Sequence, residues 1–157
     1  MRVDDKEFFM REALTEARKA FEKDEVPVGA IIVKEGKIIA RAHNLKENKG
    51  DATRHAEMEC ISEATQVIGN WWLEDCDIYV TMEPCPMCAG ALINSRIRKL
   101  YYGAKDPKSG CCGSVVDLCS PGLFNHNIEV EGGVLEKECG DILSEFFRKK
   151  RKQKDGK

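Results

Sequence analysis

The sequence predicts an α/β fold, a three-layer αβα sandwich around a central mixed sheet. Stretches with helical periodicity alternate along the chain with short runs rich in Val, Ile and Tyr. The first two such runs, residues 28–33 and 38–40, flank Glu35, Gly36 and Lys37. They therefore predict an antiparallel hairpin at the start of the sheet.

Four segments predict helices. Apolar side chains recur at helical spacing in residues 7–21, which indicates an amphipathic first helix. Residues 55–68 return to this pattern, and residues 84–95 repeat it with Pro86 suited to a first turn. A last helix is predicted over about residues 135–148.

The remaining segments predict strands and loops. Residues 78–82, 99–103 and 128–130 are short, apolar and β-rich, which is typical of strands. Residues 44–53 are polar and predict a loop, whereas residues 104–125 are rich in Gly, Ser, Cys and Pro. We expect that long segment to be mostly irregular.

Length and charge limit the classes of function. The 157 residues fit one domain, residues 1–148, followed by a basic tail at residues 149–157 that we expect to be disordered. The 25 basic and 27 acidic residues exclude the global basic field of a general nucleic-acid binder. No apolar run has the length of a membrane span and the charged start is unlike a signal peptide, so we expect a cytoplasmic protein.

The eight cysteines have irregular spacing and follow no export signal, so they do not predict a disulfide framework. Metal ligation is expected for some and simple burial for the rest. Cys60 and Cys139 fall within helical patterns, where we expect them to act as small hydrophobes.

Two short motifs carry the chemistry. His-Ala-Glu at residues 55–57 and Pro-Cys-Pro-Met-Cys at residues 84–88 match the H-x-E…P-C-x-x-C signature of zinc deaminases. His55, Cys85 and Cys88 supply three ligands for one Zn²⁺, which leaves the fourth tetrahedral position to a water. An open position of this kind is typical of a catalytic zinc.

The spacing of these residues has physical consequences. Cys85 and Cys88 share one face of a helix, and a helix N-terminus lowers the pKa of nearby thiols. His55 and Glu57 would diverge inside a helix, so they can converge only where a helix begins. We predict that Glu57 takes the proton of the water and passes it to the substrate's ring nitrogen and leaving ammonia, without binding the metal.

Other interpretations of the motifs stay open at this point. A thioredoxin-like dithiol would leave the H-x-E motif without a role. A structural zinc site needs a fourth Cys or His, for which Cys111, Cys112, Cys119 and His126 are candidates. A zinc-stabilised RNA-binding module without catalysis would have no need of Glu57.

The chain resembles the bacterial tRNA-specific adenosine deaminases of the cytidine-deaminase-like superfamily, which convert adenosine to inosine at the wobble position of an anticodon. The resemblance covers residues 8–151, nearly the whole chain. Besides the zinc motifs, the segments that carry it are residues 26–30, 83–91, 95–97, 103–106, 113–114, 125–126 and 146–148.

This resemblance implies one Zn²⁺ per chain, a homodimer and a tRNA anticodon stem-loop as partner, with neither DNA nor a membrane expected. It also implies that Val28, Asn44, Ala56, Asp106 and Phe147 bind the substrate. Asn44 would hydrogen-bond the flipped adenine and Val28 would pack on its face. Asp106 would approach the neighbouring nucleotides.

Two features depart from the family pattern. Cys111 and Cys112 stand where small residues are usual, and Pro107 lies in the loop expected to touch RNA. We expect the two cysteines to pack as small residues, although a second metal or a redox switch is an alternative. The alternative function is a free-base guanine or cytosine deaminase of the same fold, and the basic run at residues 148–152 favours RNA over it.

Overall fold

Five strands form one mixed sheet in the computed structural model, which describes the backbone of residues 3–155 and the side chains of residues 5–154. In chain order they are β1 (Gly29–Lys34), β2 (Lys37–His43), β3 (Cys76–Met82), β4 (Lys99–Ala104) and β5 (Glu129–Glu131). Their order across the sheet is β2-β1-β3-β4-β5. β1 runs antiparallel to β2 and β3, whereas β3, β4 and β5 are parallel to one another. The predicted mixed sheet and its opening hairpin are confirmed.

Helices form the two outer layers. They are α1 (Val3–Glu22), α2 (Lys46–Lys49), α3 (Ala56–Ile68), α4 (Pro86–Asn94) and α5 (Glu136–Asp155). α1 and α5 contact each other and pack on β1, β3 and β4, whereas α3 packs on β1 and β2 and contacts α4. The three-layer sandwich is therefore confirmed. None of the described helices combines the length and the apolar composition that crossing a membrane requires.

The core lies between the sheet and these helices. Tyr79 and Tyr101 stack with ring centroids 4.3 Å apart, and Phe9 of α1 packs against Tyr79. Cys60 and Cys139 are fully buried, as predicted. Burial of these side chains supplies the main driving force that holds the layers together.

Gly29 at the start of β1 lies against α1 with no room for a side chain. A Cβ atom at this position would overlap the Ala13 carbonyl oxygen and the Ala17 backbone nitrogen. Only glycine lets the helix lie directly on the strand, because any side chain would push the backbones apart. The glycine of the Val-Pro-Val-Gly-Ala segment is thus explained by packing.

Three chain segments leave the sheet at one edge. The end of β2 leads through α2 into α3, the end of β3 leads into α4, and the end of β4 leads into the irregular residues 105–128. Because β3 and β4 are parallel, their carboxyl ends lie side by side. This edge brings the two sequence motifs together.

The prediction of a disordered tail from residue 149 is wrong for residues 149–155, which continue α5. Lys, Arg and Gln favour helices, and residues 149–155 contain neither glycine nor proline. An ion pair of 2.6 Å between Lys150 and Asp24 ties this part of the helix to the end of α1. Residues 156 and 157 lie outside the described part of the chain. The segment 44–53, predicted as loop, contains the short helix α2.

Candidate active site

The starts of α3 and α4 present the metal-binding motifs. His55 is the N-cap of α3 and Cys85 the N-cap of α4, each with extended backbone (φ −77° for both). Pro86 occupies the first turn of α4, as predicted. Because His55 precedes the regular helix, its side chain and that of Glu57 line the same cleft. The expected convergence of the H-x-E motif is confirmed.

The three predicted ligands form one cluster. His55 Nδ1 lies 3.6 Å from Cys85 Sγ and 3.6 Å from Cys88 Sγ, and the three ligand atoms all lie within 4.8 Å of one another. Zinc bonds of usual length at a tetrahedral angle place nitrogen and sulfur about 3.6 Å apart. The spacing of these atoms therefore fits a tetrahedral Zn²⁺, with His55 binding through Nδ1.

No fourth Cys, His, Asp or Glu joins this cluster among the described residues. The candidates named from the sequence are engaged elsewhere: His126 Nε2 lies 2.7 Å from the Ile97 carbonyl oxygen, and Cys112 contacts Cys119 at 3.9 Å. Cys111, Cys112 and Cys119 are all buried, so their packing agrees with a small-residue role. With three protein ligands, the donor set matches an open catalytic site.

The electrostatics differ across the cluster. A hydrogen bond from the Cys88 thiol and a second from His55 lower the pKa of Cys85 to about 4, which favours the thiolate form that a metal ligand needs. The adjacent Cys85 sulfur and burial raise the pKa of Cys88. Burial raises the pKa of Glu57 to about 7, and the side chain is only 3% exposed. A carboxyl group with a pKa near neutrality can both accept and return a proton.

A cleft of about 350 Å³ opens over the ligands, a size within the range of small-molecule sites. Its lining comes from β1, the β2–α3 connection, the end of β3 and the segment after β4. The lining residues are Val26, Val28, Asn44, Lys46, His55, Glu57, Met82, Glu83, Cys85, Asp106 and Ser109.

Of the predicted substrate-binding residues, Val28, Asn44 and Asp106 line this cleft, whereas Ala56 and Phe147 are not among its lining residues. Phe147 lies on α5, 43% exposed, against the ring of Phe146. Substrate contacts of Ala56 and Phe147 stay predictions.

A hydrogen bond fixes the orientation of the Asn44 amide. The Ala56 backbone N–H donates to Asn44 Oδ1 at 2.7 Å. Since the backbone nitrogen can only donate, the accepting atom is the oxygen, and Nδ2 remains as a donor for a substrate acceptor. Ala56 therefore acts on the site through Asn44.

Sequence reasoning missed several lining residues, among them Lys46, Met82, Glu83 and Ser109. Glu83 directly precedes the Pro-Cys-x-x-Cys motif, and this adjacency is the signal that would have found it. Lys46 and Ser109 carry no pattern of their own and are revealed only by the position of their segments.

Comparison with known proteins agrees with this site. The profile of the MafB19-like deaminase family matches residues 4–151. A tRNA-specific adenosine deaminase of Bacillus subtilis strain 168 is 55% identical over 94% of this chain and 92% of its own length. A tRNA-specific adenosine deaminase of Aquifex aeolicus is 51% identical over 93% of this chain and 96% of its own length.

Two solved structures of deaminases are similar to this chain in fold. A structure from a study of A-to-I editing by tRNA:A34 deaminases at the wobble position superposes with a TM-score of 0.83 at 46% identity, over 87% of this chain and 99% of that chain. A guanine deaminase of Bacillus subtilis superposes with a TM-score of 0.61 at 37% identity, over 67% and 66% of the two chains. The chain therefore belongs to the MafB19-like deaminase family and, within it, to the tRNA-specific adenosine deaminases.

Proposed function

We propose that this protein deaminates adenosine to inosine at the wobble position of a tRNA anticodon, hydrolytically and with one zinc ion per chain. The observation that carries the chemistry is the three-ligand cluster beside the buried Glu57 at the base of one cleft. The relatives named tRNA-specific adenosine deaminase, which match nearly the whole chain, support the choice of substrate.

The chain's own residues divide the work. The zinc would be held by His55 Nδ1, Cys85 Sγ and Cys88 Sγ. When bound, it would lower the pKa of a water molecule, which supplies the nucleophile. Glu57 takes a proton from that water and delivers it to the purine ring nitrogen beside the attacked carbon. Glu57 would then take the second proton of the same water, from the hydroxyl group added to the ring carbon, and pass it to the amino group, which leaves as ammonia while the carbon–oxygen double bond forms.

The base is oriented by the upper part of the cleft. Asn44 Nδ2 donates a hydrogen bond to an acceptor on the purine, and Val28 offers an apolar wall for its face. Asp106, Lys46 and Ser109 also line the cleft and are more exposed than Val28, so they would contact the nucleotides beside the target. A flipped base in a loop fits this arrangement, because a base that is already unpaired costs least to extrude.

Binding of the anticodon stem-loop is expected to be local and electrostatic. The chain carries a net charge of −2, so attraction to phosphate must come from a basic surface of limited extent. On α5, Arg148, Lys149 and Lys152 share such a surface with Phe21, whose ring has Lys149 Nζ 5.3 Å from its centroid. This surface, defined by those four residues, is called the basic surface below.

A homodimer and a cytoplasmic location are proposed with this function, on the strength of the family resemblance. Trp71 and Trp72 are half exposed just after α3, with rings packed edge to face at 5.2 Å. Exposed aromatic pairs of this kind are typical of surfaces that a partner covers. Light scattering at micromolar concentration is expected to report a dimer, and a monomer would contradict this part of the proposal.

A substrate panel tests the proposed function. The wild-type protein is offered an anticodon stem-loop with adenosine in the loop, the same sequence as a full duplex, free guanine and free cytosine. Ammonia release is measured together with inosine formation by mass spectrometry. We expect only the stem-loop to be deaminated. Fast deamination of guanine, with the stem-loop left unreacted, would indicate the free-base alternative.

A variant pair ties turnover to Glu57. Glu57→Gln keeps the shape of the side chain but cannot shuttle protons, so we expect turnover to fall by about 100-fold or more while zinc is retained. Glu63→Gln is the control, since Glu63 lies exposed on the same helix. Loss of zinc from Glu57→Gln with activity restored on reloading would make Glu57 a ligand and contradict the mechanism.

A further inference from the structure

Two segments outside the sheet contribute residues to the lining of the cleft, and they are called its walls. The first wall, residues 44–51, contributes Asn44 and Lys46, and the second wall, residues 105–114, contributes Asp106 and Ser109. Apart from the isolated pairing of Cys112 with Asp117, neither wall belongs to the sheet, and α2 within the first wall has no buried residue. Hydrophobic packing therefore does not hold the first wall in place, and other contacts must do so.

Glu25 holds the first wall. Its side chain is 1% exposed, and its carboxylate accepts the backbone N–H groups of Glu47 at 2.9 Å and Asn48 at 2.7 Å. The Asn48 side-chain amide donates a third hydrogen bond to it at 2.6 Å. Leu45 at the N-cap of α2 offers no side-chain hydrogen bond, so Glu25 performs that function from another part of the chain.

Glu83 holds the second wall in the same way. Its side chain is 3% exposed, and it accepts the backbone N–H groups of Asp106 at 3.1 Å, Cys112 at 3.0 Å and Ser114 at 3.0 Å. The Ser114 hydroxyl donates to it as well. A Cβ atom on Gly110 would overlap the Glu83 carboxyl group, so the wall closes tightly around this side chain.

Both carboxylates accept several hydrogen bonds where they lie. Burial alone would raise the pKa of Glu25, but the hydrogen bonds from Asn48 and Glu47 outweigh it and hold this pKa below the ordinary range. A buried carboxylate is tolerated only where its oxygens are fully used. The hydrogen bonds described above therefore join each carboxylate to one wall, and neither residue belongs to the metal-binding cluster.

We propose that Glu25 and Glu83 are a pair of positioning residues that set the two walls of the cleft and thereby control how tightly the RNA loop is held. They act on substrate binding through Asn44 and Lys46 on one side and Asp106 and Ser109 on the other. The inference rests on the proposed function for its substrate. The positioning itself is independent of which base is deaminated.

The test replaces each carboxylate by the amide of the same shape. In Glu25→Gln and Glu83→Gln the new NH₂ group meets backbone donors, so about half of the hydrogen bonds that each carboxylate accepts from its wall are lost. We expect KM for the anticodon stem-loop to rise about tenfold in each variant, with kcat changed by less than about threefold and zinc content unchanged. Asp77→Asn is the matched control, because Asp77 is a buried carboxylate paired with Arg98 at the opposite end of β3.

Hydrogen exchange supplies a readout that needs no substrate. The amides of Asp106, Cys112 and Ser114 should exchange faster in Glu83→Gln only, and those of Glu47 and Asn48 faster in Glu25→Gln only. If Glu83→Gln does not fold, Ser114→Ala removes one of the bonds to Glu83 and is expected to raise KM about threefold.

Double variants separate positioning from a general loss of stability. Glu83→Gln combined with Asp106→Ala should raise KM by less than the product of the two single effects, because both act through one wall. Glu25→Gln combined with Glu83→Gln should multiply, because the two act through different walls.

Three results would overturn the inference. The first is exchange of the named amides at the wild-type rate. The second is an unchanged KM in Glu25→Gln and Glu83→Gln. The third is a loss of zinc and a lower kcat at constant KM in Glu83→Gln, which would mean that Glu83 acts through Cys85. A wild-type protein that leaves the stem-loop unreacted would instead contradict the proposed function, and the exchange result would still decide whether the carboxylates hold the walls.

Discussion

The floor and the walls of the cleft are built in different ways. The floor is made where α3 and α4 begin: Glu57 follows His55 by two residues and Cys88 follows Cys85 by three, so each motif is arranged by the start of one helix. The walls lie outside the sheet, and each is anchored by a carboxylate from elsewhere in the chain: Glu25 and Asn48 are 23 residues apart, and Glu83 and Ser114 are 31 apart. Local helix geometry thus arranges the residues within each motif and the sheet brings the two motifs together, whereas hydrogen bonds from distant carboxylates anchor the walls.

The largest expected effect concerns the floor. Cys88→Ala removes a fully buried ligand, so we expect loss of zinc and of turnover together with a lower melting temperature, since metal binding is coupled to folding. Metal analysis, ammonia release and thermal unfolding measure the three effects.

Cys60→Ala is the control for Cys88→Ala. Cys60 is an equally buried thiol on α3 outside the metal-binding cluster, so zinc content should stay at the wild-type value. Stoichiometric zinc in Cys88→Ala would contradict the assignment of the floor.

The next effect concerns a wall. In Gly110→Ala the new methyl group meets the Glu83 carboxyl group and the Asp106 carbonyl oxygen, so the second wall must move. We expect KM for the stem-loop to rise about tenfold with zinc retained. Gly140→Ala is the control, because a Cβ there meets nothing within 4 Å and alanine favours the interior of α5. Equal KM values in Gly110→Ala and Gly140→Ala would show that moving the second wall does not change substrate binding.

A smaller effect is expected from pH. The pKa of Glu25 is lowered in the folded protein, so its contribution to stability is present above about pH 4.5, its unfolded value, and is lost as the pH falls through the folded pKa. The difference in unfolding free energy between the wild type and Glu25→Gln should therefore be about 1–2 kcal/mol at pH 7 and shrink below pH 4.5. Urea unfolding at a series of pH values measures it, and a difference that grows towards acid pH would show that Glu25 is not held as a carboxylate.

The smallest effect concerns neither floor nor walls. Lys149→Ala with Lys152→Ala removes two charges from the basic surface, so stem-loop affinity should fall several-fold and the salt dependence should flatten by about one counterion per lost contact. Lys137→Ala at the start of α5 is the control, since Lys137 pairs with Asp141 away from this surface. Identical salt slopes for both variants would place the RNA elsewhere.

Much of the fold was predictable because its patterns are local. The helical periodicity of residues 55–68, the hairpin around Gly36 and the position of Pro86 each depend on residues near in sequence. The metal ligands were predictable for the same reason, because the spacing within each motif determines which atoms can meet. The tail was not predicted correctly, because the charge of residues 149–155 suggested solvation while their helix propensity and the contact of Lys150 with Asp24 continue α5.

The sequence by itself predicted the five strands, four of the five described helices, the three candidate metal ligands and the proposed acid–base residue Glu57. Only the tertiary structure decided which amide atom of Asn44 is left to donate, since that depends on the hydrogen bond from Ala56 to Oδ1. It also decided that Glu25 and Glu83 hold the walls, because a buried carboxylate is matched to donors that lie far along the chain. Periodicity and motif spacing report what neighbours do, whereas hydrogen bonds between distant segments exist only once the sheet has brought them together.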